Sequence, residues 1–190
     1  LNFEKYIYFF FFTSISFILN FLLIYFANFY LTSEFFGIFY LGLTIFNISI
    51  FSFQPISYFF IRQISYIKDD KLQNSLSNNF LNFLLLINIS ICTIILLIIF
   101  GLNFFLNLKS FYLLLILCSL IFINYQFEIS RNFLEAKKNF KGVANIFLFW
   151  SVTKFFISCF LIYNLQKSFS GILGILISSL LSLIILSYIL

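Results

Sequence analysis

Val143-Ala144-Asn145-Ile146-Phe147-Leu148-Phe149-Trp150-Ser151-Val152-Thr153-Lys154-Phe155-Phe156-Ile157-Ser158-Cys159-Phe160-Leu161-Ile162-Tyr163 is a run whose one charged residue is Lys154. Coiled as a helix at 1.5 Å per residue, it covers roughly 30 Å, the thickness of a bilayer's hydrocarbon core. Its apolar residues are continuous rather than alternating, and it is about twice the length of a barrel strand, so a helix is expected. Five further segments have the same character: Phe9–Tyr30, Gly37–Phe60, Phe80–Phe100, Phe111–Ile129 and Ser170–Leu190.

The whole composition agrees. Of 190 residues 63% are hydrophobic and 9% charged, eleven basic against six acidic. A soluble domain carries about 25% charged residues, so this chain cannot cover a water-facing surface. Six spans of about 20 residues use about 120 residues, which is the apolar content of the chain. The expected fold is an all-α membrane protein, a six-helix transmembrane bundle. Nucleic-acid binding by a soluble domain is excluded by the apolar content, despite a net charge of +5.

The absent residues narrow the chemistry. There is no His, so imidazole metal sites and His-based acid–base pairs are excluded. Cys92, Cys118 and Cys159 stand far apart in apolar runs, with no metal or disulfide spacing. No metal, cofactor or catalytic group is expected, and the chain does not read as an enzyme. Thirty-three Phe and eleven Tyr beside three Ala reflect a coding bias, with the rings as lipid-facing filler and Tyr at the interfaces. The chain has no Met, starts at Leu1 and stops in an apolar run, so a fragment of a longer chain is expected.

Orientation follows from the connections. Those around Leu31–Glu34, Asn103–Ser110 and Asn164–Phe169 are short and hold Lys109 and Lys167 as their basic residues. Ile61–Asn79 and Ser130–Gly142 hold Arg62, Lys68, Lys71, Arg131, Lys137, Lys138 and Lys141, and Lys5 precedes the first span. Eight Lys/Arg against two place the N-terminus and both basic loops in the cytoplasm, in a multi-pass protein of the cytoplasmic membrane. Within the first loop, Asp69-Asp70 can cap a helical turn on which Leu72, Leu76 and Phe80 share a face. The second, Arg131–Phe140, has helical composition and a basic face.

The order of features resembles a known family. The first span runs into Leu31-Thr32-Ser33-Glu34-Phe35-Phe36-Gly37, and the second closes with Ile61-Arg62-Gln63-Ile64-Ser65 before the Lys/Asp loop. The fourth leads into Arg131, Leu134-Glu135-Ala136 and Phe140. This is similar to the N-terminal half of polysaccharide biosynthesis (oligosaccharide flippase) proteins of the multidrug/oligosaccharidyl-lipid/polysaccharide exporter superfamily. The resemblance implies two six-helix bundles facing across a central cavity, of which this chain is the first and the second is missing. It implies a transporter of twelve or more helices that moves a polyprenyl-linked glycan by alternating access.

Candidate site residues follow from the cost of polarity in lipid. Lys154 lies mid-span, roughly 14–16 Å from either surface, so its stem cannot carry the ammonium to water. Keeping a cation there costs about 2.5–3.5 kcal/mol on insertion scales. It is read either as a cavity cation meeting an anionic substrate or as a lysine paired inside the protein. Arg62 is read as an interfacial anchor or a headgroup phosphate contact. Glu128 and Arg131, three apart, form an ion pair across one turn or act as a gate. Thr13, Ser16, Asn20 and Ala27 share a face of the first span, as do Thr44, Asn47, Gln54 and Tyr58 in the second. Such stripes bond between helices or line a cavity, which makes Asn20, Asn47 and Gln54 cavity candidates. Pro55, next to Gln54, is expected to kink the second span or to free a carbonyl there. Gly171, Gly174, Ser178 and Ser182 read as a close helix-packing face.

Two other functions compete. A cation-coupled drug antiporter wants a carboxylate within the membrane, and the spans offer Glu128 alone. A polysaccharide polymerase or ligase wants a large external loop with catalytic groups, and the loops on that side are short.

Overall fold

The computed structural model describes residues 3–67, 111–137 and 139–189, with single positions 75, 79, 82, 83, 86, 89, 90, 93 and 97 between them. Among the described residues the chain is all helix: α1 Phe3–Tyr30, α2 Ser33–Ser65, α3 Phe111–Ala136, α4 Phe140–Leu165 and α5 Ser170–Ile189. Five helices therefore stand where six are expected. The expected third span, Phe80–Phe100, falls outside the described residues apart from single helical positions such as Phe83 and Leu86. The amphipathic turn at Leu72 and Leu76, the caps Asp69 and Asp70, and Cys92 also lie outside them.

Local chemistry sets the helix ends. Thr32 caps α2 by accepting the Phe35 N–H on Oγ1 at 3.4 Å, and Glu34 sits in the first turn against the positive end of the dipole. Asn139 caps α4, its side-chain oxygen accepting the Gly142 N–H at 3.1 Å. At the other end of α4, Gln166 turns the chain with φ 47° and returns its N–H to the Ile162 carbonyl at 3.0 Å.

Two boundaries differ from expectation. The connection expected over Ser130–Gly142, helical in composition, is helix as far as Ala136 but as a direct continuation of α3, because Phe133, Leu134 and Ala136 are buried. Likewise α2 continues five residues past Phe60, running unbroken through Pro55 to Ser65. Such continuity is tolerated when neighbouring groups re-satisfy the freed carbonyl.

Helices α1 and α4 run parallel. Tyr8 Oη donates to Asn145 Oδ1 at 2.7 Å and Tyr6 meets Phe140 at one end, while Tyr30 meets Tyr163 at 5.5 Å at the other. Around the bundle α1 packs on α4, α4 on α5, α5 on α3, and α3 on α2. The sequence neighbours α1 and α2 touch only slightly, which leaves a seam between them. Tyr125 ties α3 to α2 by donating its hydroxyl to the Ser49 carbonyl at 2.8 Å.

Burial of apolar area cannot drive this packing in lipid, so close approach and interhelical hydrogen bonds must. The α4–α5 contact shows both. A Cβ on Gly174 would stand 2.5 Å from the Ser158 Cα, and Ser158 Oγ donates to the Gly171 carbonyl at 3.1 Å. Ser178 and Ser182 on the same stripe are fully buried. Outward, Phe10, Phe17, Phe21 and Phe29 of α1 are each about 70% exposed. So large an apolar surface belongs in lipid rather than water. Tyr6–Tyr30, Ser33–Phe51, Phe140–Leu165 and Ser170–Tyr188 are each long and apolar enough to cross a membrane.

Candidate functional site

The seam between α1 and α2 opens into a cleft of about 320 Å³ whose floor is α4. Its walls are mostly apolar: Phe17, Leu23 and Ile24 from α1, and Leu43, Phe46, Ile50 and Phe51 from α2. Asn20 contributes an amide from one wall and Asn47 from the other, and Trp150 and Lys154 line the floor.

Lys154 is 6% exposed, and its Nζ stands 4.1 Å from the centroid of the Trp150 ring. The two residues share a face of α4 because they are four apart. Among the described residues Lys154 has no carboxylate or hydrogen-bond partner, and neither Asn20 nor Asn47 has a hydrogen bond. Three polar groups from three helices thus meet in one cleft with their bonding capacity unspent.

The ring under the ammonium is firmly held. Trp150 Nε1–H donates to the buried Ser179 Oγ of α5 at 3.0 Å, Phe127 of α3 stacks on the indole at 5.7 Å, and Phe147 tilts against it at 5.7 Å. Sequence reasoning missed Trp150 and Ser179 as parts of the site. The i,i+4 spacing of Trp150 from a mid-span lysine was a usable signal, whereas nothing local marks Ser179.

The remaining candidates stand elsewhere. Arg62 is exposed in the last turn of α2, fifteen residues and about 22 Å along the helix from Asn47. The backbone of Gln54 continues α2, and its side chain lies outside the described residues. Glu128 and Arg131 pair at 2.6 Å on α3, their side chains 14% and 23% exposed, with the guanidinium 5.6 Å from the Phe147 ring. They do not line the cleft. The same helix carries an amide that sequence reasoning passed over: Asn124 is 1% exposed and has both side-chain atoms without a partner among the described residues.

The hydroxyls of the stripes correct an expectation. Thr13, Ser16 and Thr44 donate to the carbonyls of Phe9, Phe12 and Tyr40, one turn back in their own helices, instead of bonding across to a neighbour. A short hydroxyl side chain reaches its own backbone more easily than a second helix.

Chemically the cleft offers an ammonium and two amides as donors, set among aromatic and branched walls. That combination suits an anionic or polar group carried on an apolar body. Comparison of the chain with protein-family models, curated proteins and solved structures gives no match.

Proposed function

We propose that this chain forms one bundle of a transporter that carries a lipid-linked oligosaccharide or polysaccharide precursor across the cytoplasmic membrane by alternating access. The cleft between α1, α2 and α4 is its share of the substrate cavity, and a second bundle faces the seam. In this reading the N-terminus and the turn at Lys137 lie in the cytoplasm, an orientation that the bias of Lys and Arg supports.

One observation carries the reading. Lys154 keeps a costly charge in a membrane-spanning helix with no carboxylate beside it among the described residues, in a cleft that it shares with Asn20 and Asn47. The Trp150 ring offsets only part of that cost, and an anionic ligand in the cleft supplies the rest. The ammonium meets the phosphate groups of the lipid carrier, the amides bond sugar hydroxyls, and Phe17, Phe46 and Phe51 take the carrier's hydrocarbon. No proton acceptor or nucleophile is needed, since translocation breaks no bond. The coupled antiporter reading lacks its carboxylate here, for the described lining of the cleft contains none.

A photoreactive amino acid placed at Asn47 tests the assignment. Irradiation with a radiolabelled polyprenyl-pyrophosphate sugar should label the protein at that site and not from Phe10, which lies outside the cleft. Equal labelling from both positions would reduce the cleft to ordinary lipid contact.

A further inference from the structure

Lys154 has an aromatic partner in place of an acidic one, and that partner is itself fixed. A cation is attracted to an indole face within about 6 Å, most strongly where water is excluded. The ring at 4.1 Å satisfies the distance, and the indole N–H is committed to Ser179 on a different helix. Ser179 is fully buried, and Phe127 stacks on the ring from a third helix. So α3 and α5, neither of which lines the cleft, determine where the α4 ammonium stands.

We propose that Trp150, anchored by Ser179, is the positioning residue that holds the Lys154 ammonium at the cleft until an anion draws it off the ring. This rests on the reading of the cleft as an anion site. A carboxylate in that role would neutralise the lysine and compete directly with an anionic ligand. A π face holds the charge weakly, leaves it whole, and yields to a full negative charge in a medium of low dielectric. The exchange needs no change in helix packing, because the stem of Lys154 alone moves.

Trp150 is the one tryptophan of the chain, so its emission reports this contact without interference. The purified protein in detergent is titrated with farnesyl pyrophosphate, with farnesol as the uncharged control and binding measured separately with radiolabelled ligand. Farnesyl pyrophosphate should shift the Trp150 emission, farnesol should not, and Lys154→Leu should abolish the shift while Lys154→Arg retains it. Ser179→Ala, which frees the ring, should weaken pyrophosphate binding about fivefold. In the Lys154→Leu background it should cause no further loss, a non-additivity that a merely structural hydroxyl would not show.

An undiminished shift in Lys154→Leu, or additive losses, would overturn the positioning role while leaving the cleft as an anion site. So would radiolabelled binding to the wild type with no change in Trp150 emission. Absence of binding to the wild type would remove the anion site, and the positioning role with it.

Discussion

The Nζ of Lys154 stands 4.1 Å from the ring centroid of Trp150, four residues earlier on the same face of α4. With a ring as partner, the lysine can be neutralised by substitution without leaving a buried acid orphaned. Lys154→Ala should therefore fold and insert at near wild-type levels, because loss of an unpaired buried charge relieves desolvation. Monodispersity in detergent and yield from membranes check this. A poorly folded Ala variant would instead point to a carboxylate partner outside the described residues.

Two glycines should respond oppositely to alanine. At Gly174 the new Cβ meets backbone atoms of Ser158, which cannot move aside as a side-chain tip could. Gly174→Ala should cost about 1–3 kcal/mol. At Gly37 nothing lies within 4 Å, and a helical Gly→Ala exchange there gains about 0.5–1 kcal/mol. Unfolding midpoints in detergent should fall for the first variant and hold or rise for the second. An unchanged midpoint for Gly174→Ala would mean that the α4–α5 approach is not as close as described, and a drop for Gly37→Ala that its surroundings are not open.

Asn124 offers a buried amide with neither atom partnered among the described residues. Asn124→Leu keeps the γ-branched outline, though not the volume, and removes the desolvation penalty of an unmade bond, so stability should rise by about 1–2 kcal/mol where the larger side chain is accommodated. Loss of stability on that change would show that the amide is bonded, by water or by a segment outside the described residues.

The Glu128–Arg131 pair should be strongly non-additive. Glu128→Gln leaves a guanidinium largely enclosed beside Phe147 and should cost about 1–3 kcal/mol. The double variant Glu128→Gln with Arg131→Leu should be more stable than Glu128→Gln alone. Additive losses would mean that the two side chains do not depend on each other.

Topology is open to a chemical test. With Cys92, Cys118 and Cys159 replaced, a thiol at Lys137 should react with a membrane-impermeant reagent from the cytoplasmic face alone, and one at Gln166 from the opposite face. The reverse pattern would invert the bundle.

How much was legible in the sequence depended on range. The spans of α1, α2, α4 and α5, the Glu128–Arg131 pair and the small-residue stripe Gly171-Gly174-Ser178-Ser182 are local patterns, set by helical period and by the cost of charge in lipid. Helical composition over Arg131–Phe140 is legible in the sequence, but that this stretch continues α3 to Ala136 rather than forming a separate helix on the surface depends on the burial of Phe133 and Leu134. The back-bonding of the Thr13 and Thr44 hydroxyls is not legible, because periodicity cannot tell a back-bonded hydroxyl from one that bonds across or lines a cavity. The cleft itself needed the parallel pairing of α1 with α4, more than a hundred residues apart. Asn20, Asn47 and Lys154 could each be nominated from cost alone, but their meeting in one place is a tertiary fact. So is the anchoring of Trp150 by Ser179.

The most direct measurement is the rate at which a fluorescent polyprenyl-pyrophosphate sugar crosses proteoliposomes holding this bundle together with the proposed second one, compared for wild type, Lys154→Arg and Lys154→Ala. The wild type should translocate it saturably, Lys154→Arg should keep part of the rate because charge survives while headgroup geometry changes, and Lys154→Ala should lose about tenfold or more. A rate for Lys154→Ala equal to that of the wild type would contradict the role of this lysine in the cavity.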